Sequence, residues 1–155
     1  MIVGAEDIAR VFSIFHDGSL TLTSAVSDLG LKVEIQYLAE RIDPQYSGFR
    51  VVLHNHHGLA FSPWYTESDQ TKGDLVEFGQ IFDLDLGVLQ ADTKAGHIEV
   101  VCDAYPTDSS FSGGVLRFRA ESASVSDESG RDYTVEALAK LASGYWSDWA
   151  SKTPS

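Results

Sequence analysis

The fold is decided by residues 114 to 149, GVLRFRAESASVSDESGRDYTVEALAKLASGYWSDW. At the start of this stretch Leu116, Phe118 and Ala120 alternate with charged residues. Such an alternation has the two-residue period of a strand with one buried and one exposed face. Residues 115 to 121 therefore predict a half-buried antiparallel strand.

The second half of the stretch predicts a helix. After a turn at residues 127 to 131, the large apolar residues fall three and four positions apart, on one face of a helix. These residues are Leu138, Leu141, Tyr145 and Trp149. Because Thr134 is a residue type that caps helix N-termini, we expect an amphipathic helix over about 134 to 150 that packs through these four side chains.

The N-terminal part of the chain predicts a hairpin. Residues 11 to 15 and 19 to 23 are rich in β-branched and aromatic residues, and both types favour strands. His16-Asp17-Gly18 lies between them, and Asp-Gly is a preferred centre of tight hairpin turns. We expect the first two strands to pair across this turn.

Further strands are predicted downstream, where apolar and polar residues alternate again. The ranges are 31–37, 49–54, 82–88 and 97–103, and the last two form a second hairpin. A short strand at 58–63 is expected to pair back on the strand before it.

The remaining segments predict loops and one short element. Residues 66–73 and 104–114 are polar and rich in turn-forming residues, so they predict exposed loops. Residues 74–82 predict a turn or a short helix, and a longer helix there would give a two-layer α+β fold. The chain as a whole predicts a mainly β protein: one antiparallel, sandwich-like domain of about eight strands over residues 1–155, with one C-terminal amphipathic helix.

The charge of the chain limits its partners. The 23 acids and 11 bases give a net charge of −12, which opposes binding to nucleic acid or to an anionic membrane. The imbalance is strongest from residue 67 to residue 108, where ten acids stand against Lys72 and Lys94. The acids are Glu67, Asp69, Asp74, Glu77, Asp83, Asp85, Asp92, Glu99, Asp103 and Asp108. A basic protein partner is therefore predicted, with solubility alone as the alternative reason for the charge.

Cysteine content and the first residues indicate a location. Cys102 is the single cysteine and alternates with Ile98 and Val100, so it is expected to be a buried thiol in a reducing compartment. The N-terminus shows no signal pattern, and no run approaches the roughly 20 apolar residues that span a bilayer. We expect a cytoplasmic protein that does not bind membranes.

A histidine cluster leaves two interpretations open. His54 and His56 would project to one side of an extended backbone, a spacing suited to a shared divalent metal. No third ligand is near in sequence, and Asn55-His56-His57-Gly58 also resembles a polar turn. A turn without metal or cofactor is the prediction, and a metal-dependent, cupin-like enzyme that uses His54 and His56 is the alternative.

No catalytic residue is predicted. The sequence lacks the Gly-x-Ser-x-Gly pattern of a nucleophile elbow, and Ser112-Gly-Gly-Val115 matches no phosphate-binding loop. Nucleophilic hydrolysis therefore has no support from sequence motifs.

Four residues are predicted to bind the partner. Trp64 and Tyr65 follow Pro63, and such aromatic residues either fill a core or anchor an interface. Asp83 and Asp85 alternate with apolar residues and are expected to face solvent. We predict that the two carboxylates attract the basic partner and that Trp64 and Tyr65 anchor it.

The segments Phe12-Ser-Ile-Phe-His-Asp-Gly18 and Gly144-Tyr-Trp-Ser-Asp-Trp149, with the strands between them, carry a resemblance. The chain resembles small uncharacterised bacterial proteins that begin with a Phe-His-Asp turn, some of which are similar to immunity proteins encoded beside polymorphic toxins. The resemblance implies an all-β interaction module that binds and blocks a toxin, and it transfers no catalytic residue. We therefore expect a non-catalytic protein-binding module, with a structural homo-oligomer as a further alternative.

Overall fold

The computed structural model describes residues 1–65 and 73–152. Most of the predicted loop at 66–73, with Glu67, Asp69 and Lys72, lies outside the described residues. The strands of the described part are β1 (Ile2–Val3), β2 (Ser19–Ser24), β3 (Leu29–Glu34), β4 (Gly48–His54), β5 (His57–Tyr65), β6 (Gly87–Lys94), β7 (His97–Asp103), β8 (Phe111–Arg119), β9 (Ser122–Ser126) and β10 (Asp132–Tyr133). Its helices are α1 (Ala5–Ile14), α2 (Gln36–Ala39), α3 (Phe78–Phe82) and α4 (Val135–Lys152).

The strands form one antiparallel sheet in the order β1-β9-β4-β3-β2-β6-β7-β8-β5, and β10 also pairs with β9. The predicted mainly β, antiparallel class with a C-terminal helix is confirmed. The sandwich arrangement is not confirmed, since the pairing gives a single continuous sheet. Helix α1 contacts β6 and β7 as well as β9, far apart in the strand order, so the sheet curves around this helix.

The first predicted hairpin is wrong, because residues 5–14 form α1 instead of a strand. The side chains that decide this are spaced three and four apart and are fully buried: Ile8, Val11, Phe12 and Phe15. Their β-branched and aromatic composition favours a strand, but the apolar face of a helix against the sheet outweighs local propensity. His16 and Asp17 therefore join a helix to β2 and do not turn a hairpin.

The expected pairing of β5 with β4 is also wrong. Strand β4 pairs with β3 on one side and with β9 on the other, so neither of its edges is available. At the end of β4 the chain turns through Asn55, whose φ is 51°, and β5 then pairs with β8. A strand has only two edges, and more distant strands occupy both edges of β4.

Two strands between residues 111 and 126 differ from expectation. Strand β8 begins at Phe111, inside the predicted loop 104–114, although it contains Gly113 and Gly114. A Cβ at Gly114 would lie 2.7 Å from the ring of Phe61 on the neighbouring strand, so this close pairing requires glycine. Serine-rich β9 was not predicted, although Ala123 and Val125 alternate into the core.

The second hairpin is confirmed as β6 paired with β7, although β6 begins only at Gly87. Ile98, Val100 and Cys102 are all fully buried, as predicted. Burial raises the pKa of the Cys102 thiol to about 12. The short helix predicted within residues 74–82 is α3.

Helix α4 begins as predicted, because the Thr134 hydroxyl accepts a hydrogen bond of 3.0 Å from the backbone of Ala137. Leu138 is fully buried, whereas Trp149 is 55% exposed, so the expectation that Trp149 packs the helix is wrong. The last turns of α4 lie against the short helix α2, where Arg41 pairs with Asp148, and against His16 in the turn after α1. Among the described residues, no helix is long and apolar enough to cross a membrane.

The turn before α4 is fixed by Asp127. This buried carboxylate accepts hydrogen bonds from the backbone and hydroxyl of Ser129, from the backbone of Arg131 and from the hydroxyl of Tyr133. Burial raises the pKa of Asp127, but these hydrogen bonds outweigh it and hold the pKa below the usual 3.8. The turn thus links β9 to α4 through a charged group that is fully hydrogen bonded.

Candidate functional site

Two neighbouring surface clefts share the exposed side chain of Tyr105. One has a volume of about 510 Å³ and is lined by Asp83 and Asp108, and the other has a volume of about 290 Å³. The second is lined by Asp17, Asp85 and Asp103. No Lys or Arg belongs to the described residues that line them, and we call the pair the acidic cleft.

The local backbone explains how Asp83 and Asp85 reach the acidic cleft. Asp83 ends α3, and Asp85 has a φ of 53° in the connection to β6. Asp residues tolerate this left-handed conformation better than most. Both carboxylates are exposed while Leu84 and Leu86 are buried, so the predicted alternation of exposure is confirmed, although it lies outside a strand.

Trp64 and Tyr65 lie on opposite faces of β5. Trp64 is 54% exposed, and its ring covers Gly113, where a Cβ would lie 3.3 Å from two ring carbons. Tyr65 packs edge-on against Phe111, with ring centroids 5.5 Å apart, and its hydroxyl donates to the Gly73 carbonyl. Tyr65 also lines the same part of the acidic cleft as Asp83.

Asp103 links the two aromatic residues to the carboxylates. In the register of β7 with β8 it lies opposite Gly113, the residue that Trp64 covers. In the register of β6 with β7 it lies opposite Gly87, and its carboxylate occupies the space that a Cβ at Gly87 would need. Of the four predicted partner-binding residues, the acidic cleft therefore includes Tyr65, Asp83 and Asp85, and Trp64 borders it on the outer face of the sheet.

In the histidine cluster, His54 and His56 do not form the pair that the metal-binding alternative requires. His54 ends β4 and His56 lies beyond the turn at Asn55, where its ring is 5.9 Å from that of Phe78. The Nδ1 atom of His56 is buried and lacks a hydrogen-bond partner in the described part of the chain. In residues 1–65 and 73–152, no three His, Cys, Asp or Glu side chains are placed to hold a metal ion.

His54 instead belongs to a hydrogen-bonded chain that was not predicted from the sequence. Its Nδ1 lies 2.8 Å from Asp28 Oδ2, and its Nε2 lies 2.9 Å from Ser124 Oγ. These partners are 26 and 70 residues away in sequence. In the sequence, the position of Ser124 between the apolar residues Ala123 and Val125 indicates only that Ser124 lies on the face of the strand opposite to theirs.

An aromatic cluster lies between the turn after α1, helix α2 and the end of α4. It consists of His16, Tyr37, Tyr145, Trp146 and Trp149. Tyr37 donates its hydroxyl to the His16 carbonyl, and burial raises the pKa of Tyr37 to about 12, with a smaller contribution from Asp17. Tyr145 is half-buried here, whereas Trp146 and Trp149 remain substantially exposed.

Comparison with known proteins adds no assignment. No family model, no curated protein and no solved structure matches this chain.

Proposed function

We propose that the protein is a protein-binding module that holds a basic segment of its partner in the acidic cleft. The observation that carries this proposal is the convergence of five carboxylates on two clefts joined at Tyr105. Carboxylates lining a concave surface focus a negative potential there, which attracts Lys and Arg side chains of a partner.

Aromatic side chains at the acidic cleft are suited to anchor the bound segment. Tyr105 is 63% exposed between the two clefts, and Trp64 is exposed beyond Asp103. Exposed aromatic residues are frequent hot spots in interfaces, and they also stack on guanidinium groups. The charges would then govern association and the rings dissociation.

Inhibition is the form of binding that the resemblance at residues 12–18 implies. A toxin with a basic active surface would be blocked when that surface is covered by the acidic cleft. A cytoplasmic location, where an immunity protein would meet an incoming toxin, belongs to the same proposal.

The proposal is tested by neutralising charge in the acidic cleft. Asp83→Asn with Asp85→Asn keeps side chains that fit both positions, including the left-handed φ at Asp85. We expect association with a fluorescent oligolysine peptide to slow about three- to tenfold at low salt, since fewer charges attract the peptide. Stopped-flow fluorescence measures this rate, and Trp64→Ala should instead mainly raise the dissociation rate.

A second double variant controls for net charge alone. Glu40→Gln with Asp132→Asn removes the same charge from two exposed positions that do not line the acidic cleft. If this control slows association as much as the cleft variant does, the acidic cleft is not the docking surface. The same conclusion follows if the wild-type association rate is unchanged at about 0.5 M salt, where the screening length is only a few ångströms.

A further inference from the structure

We propose that Asp28, His54 and Ser124 form a nucleophilic site at which Ser124 is acylated by small esters. This site goes beyond the binding function proposed above and lies elsewhere on the sheet. It is built on β9, β4 and the residue preceding β3, whereas the acidic cleft lies at β6, β7 and the residues around α3.

The hydrogen bonds define the role of each group. A carboxylate accepts hydrogen bonds only, so neutral His54 must donate its Nδ1 proton to Asp28 across the 2.8 Å contact. The lone pair of Nε2 then faces the Ser124 hydroxyl, 2.9 Å away, and accepts its proton. A serine, a histidine and a carboxylate in this order and through these atoms form the arrangement that activates a serine nucleophile.

The sheet holds the three side chains on one accessible face. Ser124 lies opposite Val52 and projects away from the core, since Ala123 and Val125 beside it are buried. The side chains of His54 and Asp28 are 24% and 45% exposed. A small molecule can therefore reach Ser124 without any opening of the fold, and paired strands keep the serine and histidine in register.

Arg50 provides a positive charge beside the nucleophile. It lies on the same face of β4, opposite Ser126 in register, so it is a diagonal neighbour of Ser124. Diagonal neighbours on one face are roughly 7–8 Å apart, a distance that a long side chain spans. In the described part of the chain Arg50 makes no hydrogen bond or ion pair that would hold it elsewhere, so its guanidinium is available to stabilise an oxyanion.

The reaction is a two-step acyl transfer. Ser124 Oγ bonds to the ester carbonyl carbon while its proton passes to His54 Nε2, and the negative charge on the carbonyl oxygen faces Arg50. The bond to the leaving alcohol then breaks, and the alcohol takes the proton from Nε2. In the second step His54 Nε2 takes a proton from water, and the water oxygen bonds to the acyl carbon. The bond from this carbon to Ser124 Oγ then breaks, Nε2 returns the proton to Oγ, and the carboxylic acid leaves. Because the site is open and Val52 lies opposite Ser124, the substrates are small, unhindered esters.

The test uses the full chain and a fluorophosphonate probe. Ser124 Oγ displaces fluoride from phosphorus, so peptide mass spectrometry locates the label. We expect Ser124 to be labelled while Ser126, two residues along the same face, is not. His54→Ala should lower the labelling rate about a hundredfold or more, and added imidazole should restore part of it.

Further variants separate chemistry from structure. Asp28→Asn should slow labelling strongly, whereas Asp28→Glu, which retains a carboxylate, should recover part of the rate. Arg50→Gln should slow hydrolysis of p-nitrophenyl acetate about tenfold or more. If His54→Ala does not fold, as judged by circular dichroism, His54→Gln takes its place.

Two results would overturn the proposal. One is labelling of wild-type Ser124 that is no faster than labelling of Ser126. The other is a folded His54 variant that labels Ser124 at the wild-type rate, because the histidine would then not act as the base. Labelling of Ser124 does not depend on oligolysine binding in the acidic cleft. Either proposal can therefore be contradicted while the other stands.

Discussion

The two longer helices, α1 and α4, both carry apolar residues three and four positions apart, yet they are buried to different depths. In α1 the side chains of Ile8, Val11 and Phe12 are fully buried, because the sheet curves around this helix. In α4 burial is complete at Leu138, but Trp149 is 55% exposed. A periodic apolar face therefore stabilises a fold only where a partner surface covers it, and the end of α4, which is only partly covered, exposes the rings of Trp146 and Trp149.

Removal of a buried ring in α1 should have the largest effect. Phe12→Ala is expected to lower the free energy of unfolding by about 3–5 kcal/mol, since it leaves a cavity beside Phe118, whose ring centroid is 5.7 Å away. Urea denaturation measures this change. Phe12→Leu retains most of the side-chain volume and should lower the free energy of unfolding much less. If both variants lose the same amount, the neighbouring side chains fill the space that the ring leaves.

A substitution in the turn that joins the sheet to α4 should have an intermediate effect on stability. The folded state lowers the pKa of Asp127 below 3.8. The ionised carboxylate therefore contributes its full stabilisation of the fold above that pH, and this stabilisation is lost as the pH falls through the pKa of the folded state. Asp127→Asn should therefore lower the free energy of unfolding by about 1–3 kcal/mol at pH 7.

The difference in the free energy of unfolding between Asp127→Asn and wild type should become smaller in acid. Unfolding at pH 7 and at about pH 3 gives the two values, since a carboxyl normally titrates near this range. Exposed Asp132→Asn is the control and should show no such dependence. If the difference in the free energy of unfolding between Asp127→Asn and wild type does not depend on pH, the charge of Asp127 does not stabilise the turn.

A substitution at the exposed end of α4 should have the smallest effect on stability. Trp149→Ala removes a ring 6.0 Å from that of Trp146, and we expect the free energy of unfolding to change by about 1 kcal/mol or less. Urea denaturation beside Phe12→Ala provides the comparison. A loss as large as that of Phe12→Ala would mean that the end of α4 is covered in solution, and the contrast between the helices would then fail.

The sequence predicted those elements in which local preference and burial agree. In β7 the apolar residues Ile98, Val100 and Cys102 recur at every second position, and α4 combines a Thr134 cap with strong helix formers, so both were predicted. Helix α1 was not predicted, because the β-branched and aromatic residues at 11–15 favour a strand although the spacing from Ile8 to Phe15 is helical. The partner of β5 was missed because strand pairing depends on which edges distant strands already occupy.

The candidate sites divide in the same way. Exposure of Asp83 and Asp85 followed from their alternation with buried leucines, and Trp64 was considered because exposed aromatic residues often bind partners. The proximity of Asp28, His54 and Ser124 could not be predicted, because it arises from the pairing of β4 with β9 and the position of the residue before β3. Side chains far apart in sequence carry no common local pattern.

Because Cys102 is buried, we expect the folded chain to resist thiol reagents. The thiolate is the reacting form, and this thiol is fully buried in β7 with its pKa raised to about 12. Since the chain has no other cysteine, alkylation requires that the sheet open at β7. Native Cys102 is thus an internal reporter of how often the sheet opens, without any added label.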